Sequence, residues 1–240
     1  MSTTKSKQGP KRVLREDDLI EIVAETNNQA KAFDAFDNDK NLVLAGSAGT
    51  GKTFIALHMA FGEVLDPNTF YDRVIILRSV VPTRDIGFLP GNQDEKINVY
   101  QDPYKSLCFE LFETKDAFNL LEKEGKLVFE TTSFIRGLTF DNAIIIVDEM
   151  QNMTGHELDT IITRIGDSCR IIFAGDFDQS DFHRKAEKRG LKDFLTILEN
   201  SQHFVTVNFG WEDILRSGLV RDYIMTKEML KEQGTLEIDW

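Results

Sequence analysis

The chain is short of the residues that build metal or disulfide scaffolds: it has two cysteines, Cys108 and Cys169, and neither has close Cys or His neighbours. A structural zinc site is therefore excluded, and both thiols read as buried and free. The four histidines, His58, His156, His183 and His203, are scattered, with no pair at a metal-ligand spacing and no catalytic role assigned. Asp37, Asn38 and Asp39 have the look of a calcium loop but lack its Gly and its bidentate Glu. No apolar run approaches a membrane span, and Met1 to Arg15 is basic without an apolar signal region, so a cytoplasmic protein with no membrane partner is expected. Positive charge is also scarce. With 28 Lys and Arg against 40 Asp and Glu, a net charge of -12, any nucleic-acid partner must be gripped by a local basic surface.

What is present is a chain of 240 residues, 41% hydrophobic, long enough for one sizeable core and free of internal repeats. Short apolar runs recur at Asn41 to Ala45, Arg73 to Leu77, Lys126 to Glu130, Ala143 to Val147, Arg170 to Ala174 and His203 to Val207. Several are apolar at consecutive positions, the pattern of parallel strands buried on both faces. Helical periods lie between them, at Thr53 to Val64, about Pro103 to Glu124, Gly155 to Arg164 and Lys188 to Asn200, with a last one over Trp211 to Glu232. The alternation predicts an α/β fold, mainly a parallel sheet covered by helices on both faces. Val81 to Asp102, containing Pro82, Gly87, Pro90 and Gly91, reads as a long functional connection.

The chemistry concentrates at three strand ends. Gly46-Ser47-Ala48-Gly49-Thr50-Gly51-Lys52-Thr53 matches G-x-x-x-x-G-K-[ST] and sits between a strand and a helix, as a phosphate-cradling loop must. Its glycines let backbone N–H groups face phosphates at a helix N-terminus, Lys52 reaches the β and γ phosphates, and the Thr53 hydroxyl ligates Mg2+. The run Ala143 to Val147 ends in Asp148 and Glu149, which places both at the carboxyl edge of the sheet. Asp148 is expected in the Mg2+ shell and Glu149 beside the attacking water. Gln179, after Gly175-Asp176-Phe177-Asp178, offers a neutral amide to the γ-phosphate or the water. Gln29, 17 residues before Gly46, suits the donor and acceptor edge of adenine, with an exposed helical Gln as the plain alternative. GTP is disfavoured because no Asn-Lys-x-Asp base-reading motif occurs.

Two further groups have both a functional and a plain reading. Arg184, Lys185, Lys188, Arg189 and Lys192 form either a solvated helix face or a contact surface for a phosphate backbone. Phe88, Tyr100 and Tyr104 read either as local packing or as stacking platforms for unpaired bases.

Together these residues resemble the PhoH family of ATPases, relatives of the N-terminal motor domain of superfamily 1 helicases. The resemblance runs from about Asn28 to Ile224 and rests, besides the P-loop, on Gly87-Phe88-Leu89-Pro90-Gly91, Phe134-Ile135-Arg136-Gly137-Leu138-Thr139, Asp148-Glu149-Met150-Gln151-Asn152, Gly175 to Gln179, and Glu212-Asp213-Ile214-Leu215-Arg216. Leu138 stands where the family commonly has a second Arg, Ser79 where a Pro is usual, and Met150 where a small residue is usual. The small size and drifted positions are similar to phage-encoded members, which implies the host cytoplasm.

The resemblance implies one RecA-like domain over residues 25–232, a flexible basic extension over 1–24 and a polar tail over 233–240. It implies ATP as the nucleotide, hydrolysed with Mg2+ and coupled to translocation on, or remodelling of, single-stranded RNA or DNA. The chain is too short for a second motor domain, so a homo-oligomeric ring, such as a hexamer, is expected, with Arg216 serving a neighbour's ATP in trans. The alternatives are an ATP-switched binding or signalling protein linked to phosphate metabolism and, third, a small-molecule kinase, for which no Arg-rich lid is evident.

Overall fold

The computed structural model describes residues 12–47, 49–79, 93–133, 135, 137–176, 185–215 and 217–235. Its centre is a sheet of six strands, β1 (Asn41–Gly46), β2 (Arg73–Arg78), β3 (Leu127–Thr131), β4 (Ala143–Asp148), β5 (Arg170–Gly175) and β6 (Phe204–Phe209), in the order β3-β2-β4-β5-β1-β6. Every neighbouring pair is parallel. The helices are α1 (Asn27–Asp37), α2 (Lys52–Leu65), α3 (Gln93–Phe112), α4 (Ala117–Lys123), α5 (Gly155–Ile162), α6 (Lys185–Glu199) and α7 (Gly218–Glu232).

Side chains alternate across each strand, so one run of aliphatic residues serves two cores. Leu42, Leu44, Ile144, Ile146 and Ile172 pack under α1 to α4. Val43, Ile145, Val147, Ile171 and Phe173 pack against Leu158 and Ile161 of α5 and Leu191, Phe194 and Leu198 of α6. The inner strands β4 and β5 are buried at every position, whereas the edge strand β3 is buried only at alternate ones. The consecutive apolar runs in the sequence thus correspond to strands covered on both sides.

Several boundaries differ from the sequence expectation; the last helix, expected from Trp211, starts only at Gly218 as α7, after a 3-10 turn over Trp211–Asp213. Helix α3 begins at Gln93 and carries Pro103 inside it, so 93–102 is helix and not connection. Pro103 cannot donate to the Val99 carbonyl, yet Tyr104, Cys108 and Leu111 continue one fully buried stripe, and that burial outweighs the missing bond. The single helix expected to Glu124 is two, because Glu113 adopts a left-handed φ of 47° and turns the chain before α4. Within the stretch read as a flexible extension, Leu14 is only 2% exposed and belongs to the core. The Ile20 N–H donates to the Leu111 carbonyl at 2.9 Å, and His58 Nε2 donates to the Ile20 carbonyl at 2.8 Å. Burial lowers the pKa of His58, which favours this neutral donor. Position 24 therefore does not mark where packing begins.

At the end of the sheet remote from the P-loop, Arg170 is buried at the start of β5 with its guanidinium over the Phe36 ring, 3.5 Å from the centroid. It donates to the carbonyls of Phe36 and Lys40 and pairs with Glu63 Oε1 of α2 at 3.5 Å. This one side chain ties α1, α2 and β5 together. Arg170→Ala is expected to lower unfolding stability by about 2–3 kcal/mol, since buried carbonyls lose a charged donor and the ring loses its cover. Urea denaturation checks this, and nucleotide binding at the far edge should persist in the folded variant.

Candidate active site

Adjacent strands β1 and β5 send their following helices to opposite faces, α2 into one core and α6 into the other. This divergence opens a crevice at the carboxyl ends of the strands, the position where open α/β sheets bind ligands. A cavity of about 520 Å³ lies there, bordered by Lys52, Thr53, Asp148, Glu149, Gln151 and Asp176.

Two P-loop glycines are required for different reasons. Gly46 lies opposite Phe209 of β6 with φ 138°, and a Cβ there would fall 2.1 Å from the Phe209 carbonyl oxygen. Only a residue without a side chain lets β6 approach. Gly51 has free space around it, but its φ of 78° caps α2 in the left-handed region that glycine tolerates. Lys52, the first residue of α2, is 9% exposed, and its ammonium donates to the carbonyls of Gly46 and Ser47, each at 2.7 Å, and to Thr50 Oγ1 at 3.1 Å. Burial lowers its pKa, and the carboxylates of Asp176, Asp148 and Glu149 oppose that shift.

Thr53 Oγ1 donates to Asp148 Oδ1 at 2.9 Å, from α2 to the end of β4. Neighbouring ligands of octahedral magnesium, at bond lengths of about 2.0–2.1 Å, are themselves about 2.9 Å apart. The two oxygens therefore fit adjacent positions on one Mg2+. Among the described residues no group of three or more His, Cys, Asp or Glu could hold a metal.

Glu149 departs in another direction because it sits at φ 53°, a left-handed turn out of β4. Burial raises its pKa, Asp148 raises it further, and Gln151, Arg78 and Lys52 pull the other way. A short 3-10 turn returns Gln151 to Glu149, so that Gln151 Nε2 donates to Glu149 Oε2 at 2.5 Å while Gln151 Oε1 accepts from the Asp176 N–H at 3.0 Å. One amide thus spans the ends of β4 and β5. Gly175 makes room for it, since a Cβ at that position would meet Gln151 Oε1 at 2.6 Å.

The sequence pointed to Lys52, Thr53, Asp148 and Glu149, which the fold brings to one crevice, but it assigned no role to Gln151 or Asp176. The signal for Gln151 was its place two residues after Glu149, inside the turn that the Asn152 N–H closes on the Glu149 carbonyl at 2.9 Å. Gln29 is 3% exposed, not an exposed helical residue, and its Oε1 accepts from the Glu25 N–H at 2.8 Å. It does not border the cavity, whereas Leu215 does. Tyr104 is 0% exposed and therefore not available for stacking on bases; Tyr100 lies under the Arg78 guanidinium at 5.8 Å. Ala48, Phe88, Arg136, Gln179, Arg184, Arg216 and the segment Gly87 to Gly91 lie outside the described residues, as do the side chains of Lys185, Lys188 and Arg189.

A parallel sheet with a Gly-rich loop leading into a helix, and a Lys-Thr pair facing an Asp-Glu pair two strands away, defines a P-loop NTPase of RecA-like architecture. More particularly, the model of the family described as PhoH-like protein matches residues 21–228, and the chain belongs to that family. It is 33% identical over 204 residues to protein PhoH of Escherichia coli (strain K12), covering 84% of this chain and 57% of that protein. It is 33% identical over 220 residues to a PhoH-like protein of Synechocystis, covering 91% and 66%. The chain thus spans less than two thirds of these relatives' length. Among solved structures, the large terminase of a thermophilic bacteriophage superposes with a TM-score of 0.53 at 14% identity, over 85% of this chain and 50% of that one, a likeness of fold. No helix among the described residues is long and apolar enough to cross a membrane.

Proposed function

We propose that the chain hydrolyses Mg-ATP and couples the cycle to movement along, or remodelling of, single-stranded RNA or DNA as an oligomeric ring. The observation that carries the chemistry is the 2.9 Å approach of Thr53 Oγ1 to Asp148 Oδ1 with Glu149 beside it. Charge supports the divalent ion. Among the described residues bordering the cavity, Lys52 is the one cation, against the carboxylates of Glu110, Asp148, Glu149 and Asp176. A triphosphate entering alone would meet net repulsion; Thr53 and Asp148 would hold a Mg2+, which when bound would supply the positive charge that offsets it.

The chain's own groups account for the remaining steps. Backbone N–H groups of Gly46 to Thr53, including those of Ser47, Ala48, Gly49 and Thr50, face the phosphates, and Lys52 exchanges its loop carbonyls for phosphate oxygens. Gln29 lies back from the cavity border with its Oε1 held by the Glu25 N–H, so a contact with adenine would fall to its NH2 group alone and rests on the sequence pattern. Glu149, made more basic by burial, takes a proton from the attacking water as the water oxygen bonds the γ-phosphorus and the bond to the ADP oxygen breaks. Gln151 holds Glu149 in place, and Gln179 contacts the γ-phosphate.

For the nucleic acid, the supporting features are the family's likeness to superfamily 1 motors and the basic residues of α6, of which Lys192 is exposed. ATPase rates with and without oligo(U) or oligo(dT) test this half. Severalfold stimulation is expected, and removing the charges of Lys185, Lys188, Arg189 and Lys192 should weaken oligonucleotide binding and flatten its salt dependence, because fewer counterions are released. A rate indifferent to both oligonucleotides points instead to an ATP-switched binding protein.

A further inference from the structure

Asp148 Oδ1 faces Thr53, and its second oxygen is also engaged: Oδ2 accepts a hydrogen bond from the Tyr104 hydroxyl at 2.7 Å. Tyr104 comes from α3, a helix that contributes none of the P-loop or strand-end residues. Arg78, which ends β2 directly opposite Asp148 in the sheet register, brings its positive charge beside the Tyr104 hydroxyl. Three elements, α3, β4 and α2, thereby meet at the Asp148 carboxylate, which accepts from Tyr104 on one oxygen and from Thr53 on the other.

The plain reading of Tyr104 is packing. It shares a fully buried stripe with Cys108 and Leu111, and its ring lies 5.5 Å from that of Phe129. A phenylalanine would serve that purpose equally well, and it would bring no buried hydroxyl to satisfy. The hydroxyl has a consequence that packing lacks. The carboxylate torsion of Asp is broad and roughly two-fold, so an Asp held by one oxygen alone can tilt or exchange its oxygens. Anchoring Oδ2 stops that rotation and leaves Oδ1 directed at Thr53.

We propose that Tyr104 is a positioning residue for the divalent cation: through Asp148 Oδ2 it fixes the carboxylate so that Oδ1 and Thr53 Oγ1 present a ready-made pair of ligands. The proposal rests on the Mg-ATP reading of the site. It differs from that reading in placing part of the metal affinity in a side chain that touches neither nucleotide nor ion. Loss of a hydrogen-bond partner behind a metal ligand typically costs roughly 10–100-fold in metal affinity, and the lower end is expected here because Arg78 stays nearby.

The test is a titration of a fluorescent ATP analogue into the wild-type and Tyr104→Phe proteins, in EDTA and over a Mg2+ series. Affinity in EDTA should match between them, while the Mg2+ concentration for half-maximal strengthening rises roughly tenfold in the variant. The melting temperature, read beside it, should rise less on addition of Mg-nucleotide than it does for the wild type. An unshifted Mg2+ half-saturation overturns the proposal, because the hydroxyl then only packs. Equal weakening in EDTA and in Mg2+ overturns it too, by tracing the effect to the pocket as a whole. If Tyr104→Phe does not fold, Tyr104→4-fluorophenylalanine, which fills the hydroxyl's space without a proton to donate, is read in the same way, and an unshifted half-saturation again overturns it. A wild-type protein that binds the analogue identically in EDTA and Mg2+ refutes the Mg-ATP reading itself, and this inference with it.

Discussion

Replacing Glu149 with Gln is expected to leave nucleotide binding near wild type and to lower kcat by about 10^2 to 10^4-fold, the contribution of a well-placed general base. The substitution separates proton acceptance from everything else the side chain does. A Gln carbonyl can still accept from Gln151 Nε2, so the bridge to Asp176 survives, and the neighbouring Asp148 keeps its bonds to Thr53 and Tyr104. What the amide cannot do is take the proton of the attacking water. Lys52→Ala gives the contrasting result, with weaker nucleotide binding as well as slower turnover. The pH profile supplies a second check. Burial holds the Glu149 carboxyl above its ordinary value of 4.5, and a base works only when ionised, so activity falls as pH drops through a limb displaced above 4.5. Near-normal turnover in the Gln variant removes Glu149 from the mechanism.

Removing Arg216 is expected to have an effect of similar or larger size, a loss of about 10^3 to 10^5 in kcat with fold and ATP binding retained, the range for an arginine that stabilises transferring phosphate. The motive is the charge inventory of the crevice. Lys52 is the only cationic side chain among the described residues that border it, four carboxylates oppose it, and Arg78, which lies over the Tyr100 ring, is not on that border. Phosphoryl transfer that spreads charge over the γ oxygens is poorly served by one lysine and one metal. Arg216 is proposed because it closes the segment Glu212 to Arg216, and Leu215 beside it borders this chain's own cavity. The plain alternative is a surface ion pair with Glu212 or Asp213. Asp213 is fully buried and so offers no surface pair; its Oδ2 accepts from Asn28 Nδ2 and the Gly210 N–H, each at 2.7 Å. A surface pair with Glu212 is worth under about 1 kcal/mol of stability and nothing in rate. Mixing Arg216→Ala with Glu149→Gln protein distinguishes the direction of action. Partial recovery means that an intact Arg216 serves a neighbour's complete site, whereas absence of recovery with a dead Arg216→Ala means that it serves its own. Wild-type turnover by Arg216→Ala ends the assignment in either direction.

The legible part of the site was the part encoded by contiguous residues. Gly46 to Thr53 carries its own backbone conformation through glycines and its own helix start, and Ala143 to Glu149 couples an aliphatic run to two carboxylates, so each motif predicts its local structure without help from the rest of the chain. Less legible was anything that depended on which strands become neighbours. The sequence does not state that β5 lies between β1 and β4, and that placement is what brings Gly175 and Asp176 under Gln151.

The amino-acid sequence by itself determined the strands buried on both faces, the phosphate loop and the acidic strand end, because each follows from residue type at close spacing, where sterics and periodicity act locally. Tertiary structure alone decided the fate of α3 and of Tyr104. Pro82, Gly87, Pro90 and Gly91 argued for a late helix start, and Tyr104 read either as local packing or as a stacking platform for unpaired bases. Packing on the sheet stabilised the longer helix in spite of Pro103. It also carried a hydroxyl to within 2.7 Å of Asp148, a contact between residues 44 positions apart. Such a contact depends on the summed burial of the whole domain, and no local pattern records it.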